Sequence, residues 1–278
     1  MTEADALFIR DGNQFVPTDF ARGGWSHDAQ HGGPPAGLLA HAADLLSTRT
    51  PMRMVRLTVD LFREIPLSPL TVSTSVVRDG QRIQLLNLVL EAADGAVASA
   101  SALKIRISDE AIPSIDTAPW TPPPPPEDCQ PIDWEDSDWG WVKRAPGWFF
   151  DAIEIRAIDG TFFGTPSART WFRLRIPVVD GEPSTPFTRL AALADVANGN
   201  AQQLDPLRWL YVNPDISIVT FRRPTGEWIG MDSHAQHTSD GIGYVSTLLF
   251  DREEPFGTVG QTRLLAPHSP STMPSSIT

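Results

Sequence analysis

Two aspartates stand near the ends of apolar, helix-like segments of this chain. Asp44 lies in PPAGLLAHAADLL (34–46) and Asp195 in TPFTRLAALADVA (185–197). A carboxylate held in an apolar cleft loses hydration, binds a proton more readily and can serve as a general base near neutrality. The competing reading is a solvent-facing stripe, because Ala191, Ala192, Asp195 and Asn198 recur at helical spacings of three and four. The residues alone leave both readings open. Gln261, in the strand-like TVGQTRLL, offers an amide to such a site, although a lone Gln on a strand is ordinarily exposed.

The remaining reactive side chains form weaker patterns. Asp232, His234 and Gln236 share one face of a strand and His237 points away. Two His and a carboxylate can bind zinc, but no third ligand has the spacing, so no metal is expected. His27 and His31 are four apart, yet Gly32-Gly33-Pro34 follows and argues against a helix there. His31 therefore reads as a loop residue, either solvated or at the rim of a site. Cys129 lies in a Pro-rich stretch, a poor place for a nucleophile. There is no G-x-S-x-G elbow, no G-x-x-x-x-G-K-[ST] and no G-x-G-x-x-G. Direct attack by water needs none of these. Arg222-Arg223, before Pro224, is either a solvated strand end or a contact for phosphate groups. Arg56, Arg63 and Arg189 have no better claim.

The elements that must position these residues occur twice. Residues 34–46 align without gaps on 185–197, placing Leu39 on Leu190, Ala43 on Ala194 and Asp44 on Asp195. Thr185 is a good N-cap and Pro186 a good first helical residue, and Pro34-Pro35 start the first copy. Asn198-Gly199 supplies a stop. Apolar residues cover most of each circumference, so each helix is expected to be buried. Strand-like runs follow each helix: 54–62, 70–77, 83–92 and 96–106, then 215–221, 228–237, 242–250 and 257–265. Asp79-Gly80, Asp94-Gly95 and Asp240-Gly241 mark hairpin turns. The strand offset of about 160 pairs Gln261 with Ser101. Strands 6–10 and 168–176 are expected to complete the two sheets. The predicted organisation is one α+β unit over 1–110, a Pro/Trp-rich linker over 111–150, a second unit over 151–268 and a tail over 269–278. Five consecutive prolines keep the linker extended, and Trp120, Trp134, Trp139 and Trp141 are expected to pin it to a surface.

Composition narrows the partners. The 278 residues carry a net charge of −12, which disfavours a nucleic-acid backbone. No run is long and apolar enough for a membrane span, and MTEADALFIRDG lacks the basic start of a signal peptide. With a single Cys, a reducing cytoplasm is the expected location.

A sheet wrapped around one long helix and duplicated in one chain resembles the double hotdog fold: two long central helices, each wrapped by antiparallel strands of a continuous sheet. FFGTPSARTWFRLRIPVVDG…FTRLAALADVAN is similar to the second half of the bacterial acyl-CoA thioesterase II family. VVRDGQRIQLLNLVLEAADGAVASASALKIR and HGGPPAGLLAHAA resemble the hairpin and first helix of its first half. The resemblance covers about 20–107 and 160–266. It implies a helix Asp, a strand hydroxyl and a last-strand Gln that together hold an attacking water. Asp195 and Gln261 match the outer two. Counting back from GEW puts the middle role on Asn213, where the family has a hydroxyl, with Ser217 the poorer choice by alternation.

The resemblance thus implies hydrolysis of a fatty acyl-CoA thioester to free acid and coenzyme A. The acyl chain would lie between helix and sheet, and backbone N–H groups near a helix start would hold the oxyanion. His31, Gly33, Arg222 and Arg223 are the substrate-binding candidates. No cofactor is implied, and a homodimer is compatible with the sequence without being specified by it. Asn213 in place of a hydroxyl keeps open a non-catalytic acyl-CoA or lipid binder. An enoyl-CoA hydratase of the same fold is a third reading. It pairs Asp with His on a distinct motif that is absent here.

Overall fold

The computed structural model describes residues 5–23, 26, 28–113, 120–132, 148–160, 164–202, 204–205 and 208–268. His27, Trp134, Trp139, Trp141 and the tail beyond 268 lie outside these. The N-terminal half contains β1 (Phe8–Asp11), β2 (Gln14–Pro17), α1 (Gly33–Asp44), β3 (Met52–Leu61), β4 (Leu70–Asp79), β5 (Ile83–Ala92) and β6 (Gly95–Arg106). After the linker come β7 (Gln130–Pro131), β8 (Ile153–Asp159), β9 (Ser167–Leu174), α2 (Pro186–Ala194), α3 (Ala197–Asn200), β10 (Trp209–Val212), β11 (Asp215–Thr220), β12 (Ile229–His237), β13 (Ile242–Phe250) and β14 (Pro255–Pro267).

These strands form one 14-stranded sheet, ordered β1-β2-β4-β5-β6-β3-β11-β14-β13-β12-β9-β8-β7, with β10 pairing β14. The two halves meet at the antiparallel pair β3–β11, where Ser217 faces Thr58. Period-two burial along β14 turns Val259, Gln261 and Arg263 to the buried face and Thr258, Thr262 and Leu264 outward. In β6 the same alternation buries Ala98, Ala100, Ala102 and Lys104. Leu38, Leu39, Leu190 and Leu193 are fully buried in the core that the sheet covers.

The expectation of two long helices is not met. The helix α1 has 12 residues and α2 only 9, and Asn198-Gly199 does not stop a helix but lies inside the short α3. Thr185 does cap α2, its side chain accepting from the Thr188 N–H at 3.1 Å. The break after Ala194 has a local cause. Val196, Asn198, Gly199 and Asn200 are weak helix formers. Asn200 is held by the Thr170 hydroxyl at 2.6 Å and donates to Ser233 at 3.0 Å, which draws the chain onto β9 and β12.

The register also corrects the repeat. Ser217 pairs with both Thr58 and Gly260, and Thr58 pairs with Ser101. The symmetry through Thr58 and Ser217 therefore equates Gly260 with Ser101 and Gln261 with Ala102, one residue from the pairing expected. Counting by sequence missed this because the insertion between helix and strands cannot be located without the ladder. Part of the linker packs on the C-terminal half. The Trp171 indole N–H donates to the Pro124 carbonyl at 3.0 Å, and Trp120 and Cys129 pack with Trp171 and Phe250.

Candidate active site

The carboxylate of Asp195 sits just past the end of α2, 7% exposed, so the solvent-stripe reading fails. The two helices pack side by side, and this brings Asp195 to the start of α1. A Cβ on Gly32 would lie 2.7 Å from Asp195 Oδ2, so a larger residue there would push the carboxylate away. Asn213, in the turn between β10 and β11, donates from Nδ2 to Asp195 Oδ1 at 2.7 Å. Gln261 on β14 donates from Nε2 to the same oxygen at 3.2 Å. Ser217 instead lies on the opposite face of β11 from the buried Ile216 and Ile218.

Sequence reasoning left His31 as a loop residue, solvated or at the rim of a site. The structure places it inside the cluster, with Nδ1 3.0 Å from Asp195 Oδ2. The ring stacks on Phe149 at 4.7 Å between centroids and meets Phe150 edge-on at 5.4 Å. Burial pushes the His31 pKa down and outweighs the attraction of Asp195, so the ring is neutral at neutral pH. The Asp–His pairing that the sequence does not display is thus formed across the two halves of the chain. Only HGG at the start of α1 hinted at it.

A second layer fixes which way the amides face. Arg263 Nε donates to Asn198 Oδ1 at 2.6 Å, and an Arg can only donate. The Asn198 amide must then turn Nδ2 to Asn213 Oδ1, at 3.0 Å, and Asn213 must turn its own Nδ2 to Asp195. Arg263 is buried, which lowers its pKa to about 10, and it stays charged at neutral pH. It also donates to the carbonyls of Asn198 and Ala201 and to Gln202 Oε1. Asn198, Gln202 and Arg263 escaped sequence reasoning. An Arg in a strand gives no sign that it points inward.

Two acceptors here have no protein partner among the described residues, and one donor has only a ring nitrogen. Gln261 Oε1 is buried without a partner. No hydrogen bond to His31 Nε2 is present among the described residues. In the first turn of α1, Pro34 and Pro35 have no N–H and Ala36 N–H reaches Gly32 O at 3.3 Å. Gly33 N–H has only His31 Nδ1, at 3.1 Å.

Arg222 and Arg223 lie beyond the opposite end of β11 from Asn213. Arg222 is engaged with Asp251 through contacts of 2.8 and 2.9 Å. Asp232 and His234 pair at 3.0 Å on the exposed part of β12, and no metal-binding cluster occurs among the described residues. None of the described helices is long and apolar enough to cross a membrane.

Residues 21–105 match the acyl-CoA thioesterase N-terminal domain family and residues 126–265 the acyl-CoA thioesterase C-terminal domain family. No curated protein matches the sequence. Among solved structures, a hot dog fold protein of unknown function from Alicyclobacillus acidocaldarius is 18% identical, with 96% of this chain and 97% of that chain covered and a TM-score of 0.68. Acyl-CoA thioesterase II TesB2 from Mycobacterium marinum is 17% identical, with coverage of 93% and 95% and a TM-score of 0.64. The dehydratase domain of the CurK module of curacin polyketide synthase is 14% identical, with coverage of 98% and 100% and a TM-score of 0.50. These likenesses establish the hotdog fold.

Proposed function

Since this chain belongs to the acyl-CoA thioesterase family, we propose that it hydrolyses a fatty acyl-CoA thioester at the Asp195 cluster, releasing free acid and coenzyme A. The observation that carries this reading is the buried carboxylate of Asp195 held by the amides of Asn213 and Gln261. The position that usually bears a hydroxyl is filled by Asn213, which still donates to Asp195. Water bound beside this cluster attacks the thioester carbonyl. Gly33 N–H, at the positive end of α1, is the donor for the oxygen that becomes negative. Thiol release measured across short to long acyl-CoAs tests the reading. Asp195→Asn is expected to lower kcat at least tenfold with the fold retained, and unchanged turnover would remove Asp195 from the mechanism.

A second reading has the His31–Asp195 contact in its favour. Adding water across an enoyl-CoA double bond needs an acid and a base, which such a pair can supply. The curacin domain with the same fold is described as a dehydratase. Loss of enoyl absorbance without thiol release would select this reading.

A further inference from the structure

We infer that His31, and not Asp195, takes the proton from the attacking water, with Asp195 holding the imidazole in place. This rests on the hydrolytic reading above. An ionised carboxylate offers about four lone-pair sites. At Asp195 two of them face the amides of Asn213 and Gln261 on Oδ1, and a third faces His31 Nδ1 on Oδ2. Three of the four sites of the carboxylate are thus taken by protein groups.

The amide orientations are fixed by the Arg263 relay and by the carboxylate itself. Beside the one remaining lone-pair site of Asp195, on Oδ2, the acceptors left in the cluster are Gln261 Oε1 and His31 Nε2, to which no hydrogen bond is made among the described residues. A water between these two has one hydrogen for each. The Nδ1 atom lies between a donor, Gly33 N–H, and an acceptor, Asp195 Oδ2. A carboxylate facing Nδ1 favours the tautomer with the proton there, which leaves Nε2 bare as a base. The same tautomer frees Gly33 N–H for the oxyanion. Stacking on Phe149 holds the ring plane, and burial keeps the ring neutral and able to accept.

The step balances. The Nε2 lone pair takes one proton from water. The water oxygen bonds the carbonyl carbon as the π pair moves to oxygen. When C=O re-forms, the C–S bond breaks with its pair on sulfur, and the proton on Nε2 passes to the thiolate. Asp195 stabilises the transient imidazolium without changing its own protonation.

The test is thiol release by the full chain carrying His31→Asn, His31→Ala or Asp195→Asn. An Asn at 31 can still donate to Asp195 but has no basic nitrogen, so a merely structural His would be well replaced. We expect His31→Asn to lower kcat about a hundredfold with KM within threefold. We expect added imidazole to restore at least fivefold to His31→Ala, in proportion to neutral imidazole. If His31→Asn stays within threefold of wild type while Asp195→Asn is inactive, Asp195 is the base; the inference falls and the hydrolytic reading stands. If His31→Asn does not fold, His31→Ala decides, and no rescue by imidazole overturns the inference. If the wild-type chain releases no thiol from any acyl-CoA, both fall together.

Discussion

Asp195 and Asp44 end equivalent helices, each beside the start of the other, where a negative charge is favoured by the helix dipole. The groups that meet them differ. Asp195 meets His31 and two strand amides. Asp44 Oδ2 accepts from the hydroxyls of Thr185 at 2.6 Å and Thr188 at 3.0 Å. By the Thr58–Ser217 symmetry, the places of Asn213 and Gln261 fall to Met54 and Ala102, both buried and neither able to donate. The place of Arg263 falls to Lys104, whose Nζ donates to the Leu46 carbonyl at 2.9 Å. Both halves thus use a buried cation on the carbonyls that follow the helix. In the C-terminal half hydrogen bonds link that cation to the carboxylate through Asn198 and Asn213, whereas Lys104 acts on Asp44 through its charge. The comparison teaches that the helix-end Asp is shared by the fold, whereas its chemistry depends on the strands facing it. Asp44 braces the cap of α2; Asp195 gathers His31, Asn213 and Gln261 at the start of α1.

The largest effect should separate the two carboxylates. Where Asp195→Asn loses at least tenfold in kcat, Asp44→Asn should keep turnover within about twofold and lower stability by about 1 kcal/mol, read from urea unfolding. Equal losses in turnover would erase the distinction drawn between the two ends. Next in size is Gly32→Ala. Its Cβ displaces the Asp195 carboxylate, so kcat should drop about tenfold, while circular dichroism stays native.

The two buried cations give a smaller contrast. Arg263→Met should lower kcat about fivefold by freeing the Asn198 and Asn213 amides to turn, whereas Lys104→Met should change stability alone. Matching turnover in the two variants would show that the relay does not matter. The smallest effect concerns pH. Burial depresses the His31 pKa below the ordinary histidine value of 6.5, so the unfolded chain binds the proton first. Stability that is full above about pH 6.5 is then lost as pH falls through the folded value. His31→Asn should flatten this slope in the urea midpoint, and an unchanged slope would assign it to other groups.

Much of the fold was legible in local pattern. The gapless match of 34–46 on 185–197 revealed the duplication, and eight strand-like runs became β3 to β6 and β11 to β14 with ends shifted by a few residues. The strands β2, β7, β8 and β10 were missed. All but β8 have four residues or fewer, and β10 borrows its order from β14. Asp195, Asn213 and Gln261 could be singled out because a repeat and a family resemblance gave their positions meaning. The resemblance reached His31 through HGG but did not set it beside Asp195, since that contact is made between segments more than 160 residues apart.

By itself the sequence determined the two helix starts, the alternating strands, the turn glycines and the presence of an Asp at both helix ends. These are local properties, set by caps, period and backbone freedom. Only the tertiary structure decided which Asp meets His31, which strand residue faces Gln261's place in the other half, and which way each amide turns. Those outcomes depend on ladder register and on a buried Arg that can only donate, and neither is encoded in any single stretch of residues.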